Sequence, residues 1–287
     1  VISYAQSLDT VGIMAKDIDI VKKVFTILDK HDEKDPTSLS EEVRHKFEQL
    51  SSKKKKLRIG VPEEFSQESI PQEFKSKLAG IIKNLMARGH EVYPVSIPSV
   101  KHALSIYYTL SPAEAVSNLS RFDGIRYGYR ADSDIEDGVL FTPTRSAFGP
   151  EVQNRIILGN YNLCSEAFKN NYIKAQRLRV QLINDFDCAF RFPNCLSNNS
   201  VNHEGVDIML APTSTSLPTT YEEVLSKEEK SPLNTYINDV FTMPISLSGL
   251  PAISIPVGHA FGIQAFSQHG NDGELLDAVS EIQECAL

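Results

Sequence analysis

The chain has 287 residues, 41% of them hydrophobic, enough to bury a sizeable core either as one large domain or as part of a larger one. Its formal charge of −8 argues against this chain gripping a phosphate backbone by itself, because that task calls for a basic face. Four cysteines (Cys164, Cys188, Cys195 and Cys285) form no Cys-x-x-Cys pair and stand at no zinc-like spacing from the seven histidines, so reduced thiols and no structural metal are expected.

The opening Val1-Ile-Ser-Tyr-Ala-Gln-Ser-Leu-Asp-Thr-Val-Gly12 is sheet-like from its first residue, and no signal peptide or membrane-length apolar run is present. It reads as the continuation of a longer chain whose N-terminal part is missing. Asp17 can cap a helix whose apolar positions Ile18, Val21, Phe25 and Leu28 fall at helical spacing, with Lys22 and Lys23 expected on the outer face. Residues 31–56 are polar, end in the run Lys53 to Lys56, and read as a surface linker. Leu57 to Pro62 then reads as a strand, Gln72 to Arg88 as a helix closed by Gly89, and Glu91 to Ile97 as a second strand. Strand, helix and strand at this spacing make a βαβ unit, which implies parallel pairing covered by helices.

Further strands are expected at Val206 to Ala211, Ala252 to Pro256 and Gly262 to Phe266. Helical segments are expected near Tyr172 to Phe186 and Leu233 to Leu247, with a closing helix from about Gly273. Residues 189–205 are rich in turn formers and read as a surface loop. Asn118-Leu-Ser and Asn198-Asn-Ser match a glycosylation sequon by letters alone. The fold class is therefore α/β.

The stretch Asp239-Val-Phe-Thr-Met-Pro-Ile-Ser-Leu-Ser-Gly-Leu-Pro-Ala-Ile-Ser-Ile-Pro-Val-Gly258 is the most informative. Pro244, Pro251 and Pro256 interrupt its apolar run, so one helix cannot carry it. A helix ending near Ser248, a turn at Gly249 and a buried strand from Ala252 fit better. The stretch resembles the C-terminal signature of the amidase signature family. The resemblance extends through blocks that occur in order: Ser7 to Gly12, Leu57 to Pro62, Pro112-Ala-Glu-Ala, Asn118 to Gly128, Phe148 to Val152, Arg155 to Gly159, Lys174-Ala-Gln-Arg177 and Leu210 to Thr213. The Arg121-Phe-Asp-Gly-Ile-Arg-Tyr-Gly128 block is similar to the aminoacyl-tRNA amidotransferase branch of that family.

That resemblance implies the amidase signature fold, a mixed, largely parallel sheet covered by helices, with residues 1–287 as the C-terminal portion of a single domain. It implies a glutamine-hydrolysing component that passes ammonia to an amidotransferase B subunit. The partner uses ATP and Mg²⁺ to convert Glu-tRNA(Gln) to Gln-tRNA(Gln), and the presence of a third small subunit stays open. The Glu-tRNA(Gln) is held mainly by the partner, no cofactor is expected in this chain, and the mitochondrial matrix is the expected location, with the cytoplasm as the alternative.

Family members use a serine nucleophile, a second serine and a lysine, in segments expected ahead of Ser7. Ser51-Ser52-Lys53 juxtaposes the right residue types but lacks the glycines that bring backbone N–H groups to an oxyanion, so no catalytic residue is assigned here and the chain alone is expected to be inactive. The resemblance places Arg155 at the α-carboxylate of glutamine, Asp239 at its α-ammonium, and Tyr107 as an added hydroxyl contact. A planar guanidinium fork suits a carboxylate, and a carboxylate suits an ammonium. Ser246, Ser248 and Thr215 depart from the residues the family usually carries, and the link from Gly258 to Gly262 is shorter than usual. The alternatives are a fragment of a stand-alone amidase with an apolar acyl channel, and a non-catalytic interaction module.

Overall fold

The computed structural model describes residues 2–50, 56–67, 70–132, 142–194, 196–197, 200–218, 220–223, 238–258 and 261–286. In chain order the elements are α1 (Ile18–Leu28), α2 (Glu41–Leu50), β1 (Arg58–Pro62), α3 (Gln72–Ala87), β2 (Glu91–Val95), α4 (Ala103–Leu119), the short α5 (Thr142–Arg145), α6 (Pro150–Leu163), α7 (Lys174–Ala189), β3 (Ile208–Pro212), α8 (Met243–Ser248), β4 (Ala252–Val257), β5 (Phe261–Ser267) and α9 (Asp272–Ala286). They divide into two compact units. One holds residues 1–11 and 105–180, the other residues 12–104 and 181–287.

The larger unit is built on a sheet of strand order β2-β1-β3-β5-β4. β1 pairs in parallel with both β2 and β3, whereas β5 is antiparallel to β3 and to β4. Four strands thus point one way and β5 alone opposes them, which is the mixed, largely parallel α/β arrangement expected. β3 (Ile-Met-Leu-Ala-Pro) is buried at every position, as a central strand covered on both faces must be. The edge strand β2 carries Pro94, whose missing N–H costs no ladder bond at an edge.

Phe74, Ile81 and Leu85 of α3 are buried at helical spacing, as are Leu275, Ala278, Val279 and Ile282 of α9. An aromatic cluster fills the interior. Phe65 lies 5.4 Å from Phe241, and Phe186 and Phe190 lie 6.1 and 6.4 Å from Phe266 with their rings edge to face. His90, buried beside Gly89 (φ 94°), accepts the Leu57 N–H at Nδ1 (3.1 Å), which leaves the ring proton on Nε2, 2.9 Å from the Glu281 carboxylate.

Several expectations change. Asp17 caps α1 as read, through the Asp19 N–H (2.7 Å), but Lys22 is not on the outer face: its ammonium donates to Ser280 of α9 at 2.8 Å. The expected linker at 31–56 contains helix α2, whose Phe47 ring stands edge to face with His269 (5.6 Å). The few apolar residues of α2, Val43, Phe47 and Leu50, stand among charged ones and are easily read as linker. Ser51-Ser52-Lys53 falls outside the described residues. Within 189–205, Phe190 bridges to Val206, Asn202 Nδ2 holds the Cys188 carbonyl (2.7 Å), and the Asn194 amide donates to Asp187 (3.4 Å). The turn formers there pin a surface segment at several points, and Gly205 is required because a Cβ would lie 2.6 Å from the Phe190 carbonyl. The helix expected over 233–247 is described only as α8, Met243–Ser248, preceded by turns from residue 238.

Among the described residues, Cys164 and Cys188 are exposed and Cys285 is buried, all as free thiols. No described helix is long and apolar enough to cross a membrane.

Candidate functional site

The smaller unit is organised by α4 and α6, which pack backbone to backbone. α6 begins with Pro150 at its first positions, where a missing N–H costs nothing. One face of α6 carries Gly159, where a Cβ would stand 2.2 Å from the Pro112 carbonyl oxygen of α4. Only a residue without a side chain permits that approach. Pro112 interrupts the hydrogen-bond ladder inside α4, and the buried residues of that helix include Ala103, Ala113 and Ala115 beside Ile106 and Leu110. Asn162 of α6, itself buried, donates to the Thr109 carbonyl (3.3 Å) and accepts from Asn171 (3.0 Å). Small residues and amides, more than large apolar side chains, set this packing.

The contacts Gly159 to Pro112 and Asn162 to Thr109 make the two helices antiparallel. Arg155, one turn before Gly159, therefore lies near the level of Val116 on α4. Tyr107 lies nine residues earlier on α4, about 13 Å away along the axis. Both side chains are partly buried, and the Tyr107 ring packs edge to face on Tyr108 at 5.3 Å. The Arg155 Nη1 donates to the Tyr4 hydroxyl at 3.1 Å.

Tyr4 belongs to a short segment fixed at several points. Its carbonyl accepts from Asn118 Nδ2 (3.0 Å), and its N–H and that of Ala5 donate to the Asp9 carboxylate (2.9 and 3.2 Å). Ser7 donates its N–H to Glu114 of α4 (3.0 Å) and its hydroxyl to the same carboxylate. The Arg179 guanidinium donates to the Ser7 hydroxyl and carbonyl at 2.9 and 3.1 Å. Burial pulls the Arg179 pKa below the usual arginine range, while Glu114 and Tyr172 oppose that pull.

Asp239 belongs to the larger unit and lies on an exposed turn ahead of α8. Its carbonyl accepts the N–H groups of Thr242 (3.1 Å) and Met243 (3.0 Å). The turn is tied to the sheet beneath it by one buried amide. Gln264 Nε2 donates both to the Phe241 carbonyl (2.8 Å) and to the Pro212 carbonyl (2.9 Å). Thr215 is buried, and its hydroxyl donates to Asn238 at 3.3 Å. A residue that departs from the family pattern thus anchors the neighbour of Asp239. Gly249 (φ 66°) closes α8 in the left-handed conformation, its N–H reaching the Ser246 carbonyl at 3.2 Å. Of the two departures on α8, Ser246 is exposed, while the Ser248 hydroxyl is buried without a hydrogen-bond partner. The link at 259–260 is outside the described residues.

The same unit has an apolar cleft of ≈ 230 Å³ at the carboxyl ends of β1 and β3, walled by Phe65, Phe74, Leu78 and Leu210 with Ser66 and Lys75 as its polar members. Among the described residues that line it there is no carboxylate for an amino acid's ammonium. Among the described residues no group of three or more His, Cys, Asp or Glu side chains could hold a metal ion.

The supports at Tyr4, Glu114, Arg179 and Gln264 are not evident from sequence. Ser7 and Glu114 both fall in blocks that resemble the family, which is the one signal that could have paired them.

The Amidase family model matches residues 1–276. Over 287 residues the chain is 54% identical to the mitochondrial glutamyl-tRNA(Gln) amidotransferase A subunit of Eremothecium gossypii, covering 99% of this chain and 62% of that protein. It is 46% identical over 284 residues to the protein of the same name from Yarrowia lipolytica, covering 95% and 60%. Among solved structures, the glutamyl-tRNA(Gln) amidotransferase A subunit of Thermotoga maritima superposes with a TM-score of 0.64 at 27% identity, covering 96% of this chain and 52% of that one. Kluyveromyces lactis allophanate hydrolase shares the fold with a TM-score of 0.72 at 19% identity, covering 100% and 41%. The chain thus spans about three-fifths of its curated relatives. With the family pattern matched along nearly its whole length, this chain belongs to the Amidase family.

Proposed function

We propose that this chain is the glutamine-binding portion of the A subunit of a mitochondrial glutamyl-tRNA(Gln) amidotransferase. The observation that carries the reading is the 54% identity, sustained over the chain, to a relative of that name. In this reading Arg155 forks the α-carboxylate of glutamine, Asp239 pairs with its α-ammonium, and Tyr107 adds a hydroxyl contact. The braced guanidinium supports the first role, because a fork held in place before substrate arrives loses less freedom on binding.

In this reading the nucleophile, its base and the oxyanion donors lie outside these 287 residues, and the chain alone does not release ammonia. Ammonia freed in the full-length protein passes to an amidotransferase B subunit, which activates Glu-tRNA(Gln) with ATP and Mg²⁺, holds most of the tRNA, and works with or without a third small subunit in the mitochondrial matrix. The test is reconstitution of the full-length protein with its partner, ATP and Mg²⁺. Formation of Gln-tRNA(Gln) from glutamine supports the reading. A full-length protein that hydrolyses simple amides but leaves glutamine untouched would overturn it.

A further inference from the structure

Tyr4 does more than fill space. Its hydroxyl sits 3.1 Å from Nη1 of Arg155, and its backbone is fixed independently of that contact, by Asn118 at the carbonyl and Asp9 at the N–H. The next turn of chain is locked by the Ser7, Glu114 and Arg179 bonds. Ala5 is almost wholly buried, so the segment cannot swing outward without losing that contact. Arg155 projects from a helix that Gly159 presses against Pro112, so its Cα is also fixed. A long guanidinium arm between two fixed supports has far fewer rotamers than a free one, and the planar fork is useful only when its plane is set.

We infer that Tyr4 is a positioning residue for glutamine use: its hydroxyl accepts one N–H of Arg155 and thereby helps set the plane in which the guanidinium meets the substrate's α-carboxylate. The inference rests on the reading of Arg155 given above. Tyr4 makes no contact with reacting atoms. Its loss should therefore weaken binding of the amino-acid end and leave bond cleavage intact. A neutral hydrogen bond to a guanidinium that stays in place supports a moderate effect, smaller than loss of the fork itself.

The experiment compares Tyr4→Phe and Arg155→Lys in the full-length protein in complex with its partner, with glutamine and with ammonium chloride as nitrogen donors. Tyr4→Phe removes one oxygen and keeps the ring, so folding should be retained. The expected result is a rise in KM for glutamine of about 3- to 10-fold with kcat within about 2-fold and unchanged ammonium-dependent activity. In the double variant the Tyr4→Phe effect should largely vanish, since the fork it orients is gone. An unchanged KM in Tyr4→Phe beside a raised KM in Arg155→Lys would overturn the inference alone. Unchanged glutamine kinetics in both would overturn the reading of Arg155 and the inference with it. Equal losses with both nitrogen donors would assign Tyr4 to folding.

Discussion

The two units hold the residues proposed for the glutamine site in different ways. In the larger unit the turn carrying Asp239 rests on a sheet whose core is phenylalanine, isoleucine and leucine, and one buried amide, Gln264, ties the turn to it. In the smaller unit Arg155 stands on a helix pair with small residues at its contact, and its precision comes from backbone contact at Gly159 and a web of polar bonds through Tyr4, Ser7 and Glu114. Apolar burial is tolerant of shape; polar bonds and direct backbone contact are not. The smaller unit should therefore be the more brittle support.

That contrast can be broken by crowding. Gly159→Ala would force a Cβ against the Pro112 carbonyl, where there is no flexible side chain to yield, and should cost about 3 kcal/mol, at the upper end for overpacking. Thermal unfolding of the full-length protein would show it, together with a loss of glutamine use that ammonium restores. Retention of the wild-type unfolding midpoint would show that α4 and α6 separate easily and that the smaller unit is not brittle.

The counterpart in the larger unit is Gln264→Leu. It strands the Phe241 and Pro212 carbonyls in the interior and should cost about 2 kcal/mol, with a higher KM for glutamine as the Asp239 turn loosens. An unaltered KM would detach Gln264 from the site while leaving its structural role.

The smallest expected effect sharpens the electrostatics of the larger unit. Burial, the largest influence, and the charge of Asp29 push the Asp272 carboxyl above its ordinary 3.8; its own backbone, His269 and Arg44 pull it back. A raised folded-state pKa means that the ionised form opposes folding. The penalty is present at neutral pH and is relieved as pH falls through the folded-state value. Asp272→Asn should thus raise the thermal midpoint slightly at pH 7, with the gain fading as the pH approaches 3.8. A lower midpoint at neutral pH would mean that the helix N-terminus favours the charge more than burial opposes it.

What could be read in advance follows the same division. β1, β3, β5 and α3 announce themselves because apolar runs and helical periods report large buried side chains, and Gly249 and Gly89 mark turns that need positive φ; β4, read as a buried strand, is an edge strand that buries Ile255 and Val257 and exposes Ala252, Ser254 and Pro256. α4 gives no amphipathic signal: its buried face mixes Ile106 and Leu110 with alanines and Ser111, and Pro112 breaks the pattern, so neither period nor propensity finds it. Helix α2 is missed because its short sequence is mostly charged, although Phe47 packs on His269 and Arg44 pairs with Asp29. Arg155 and Asp239 stand out only through their place in the ordered blocks and Tyr107 only through the family resemblance, since taken singly each is an ordinary helix or turn residue. Their supports are pairings across up to 151 positions, such as Tyr4 with Arg155, and no local pattern encodes them.

In the proposed site Arg155 serves glutamine and nothing else in the reaction. The most direct test of this is Arg155→Lys in the assembled enzyme, with kcat/KM measured for glutamine and for ammonium chloride. The account predicts a loss equivalent to about 2 to 4 kcal/mol with glutamine, because lysine keeps the charge but not the fork, and near wild-type Gln-tRNA(Gln) formation with ammonium. Equal losses with both donors, or no loss with glutamine, would contradict it.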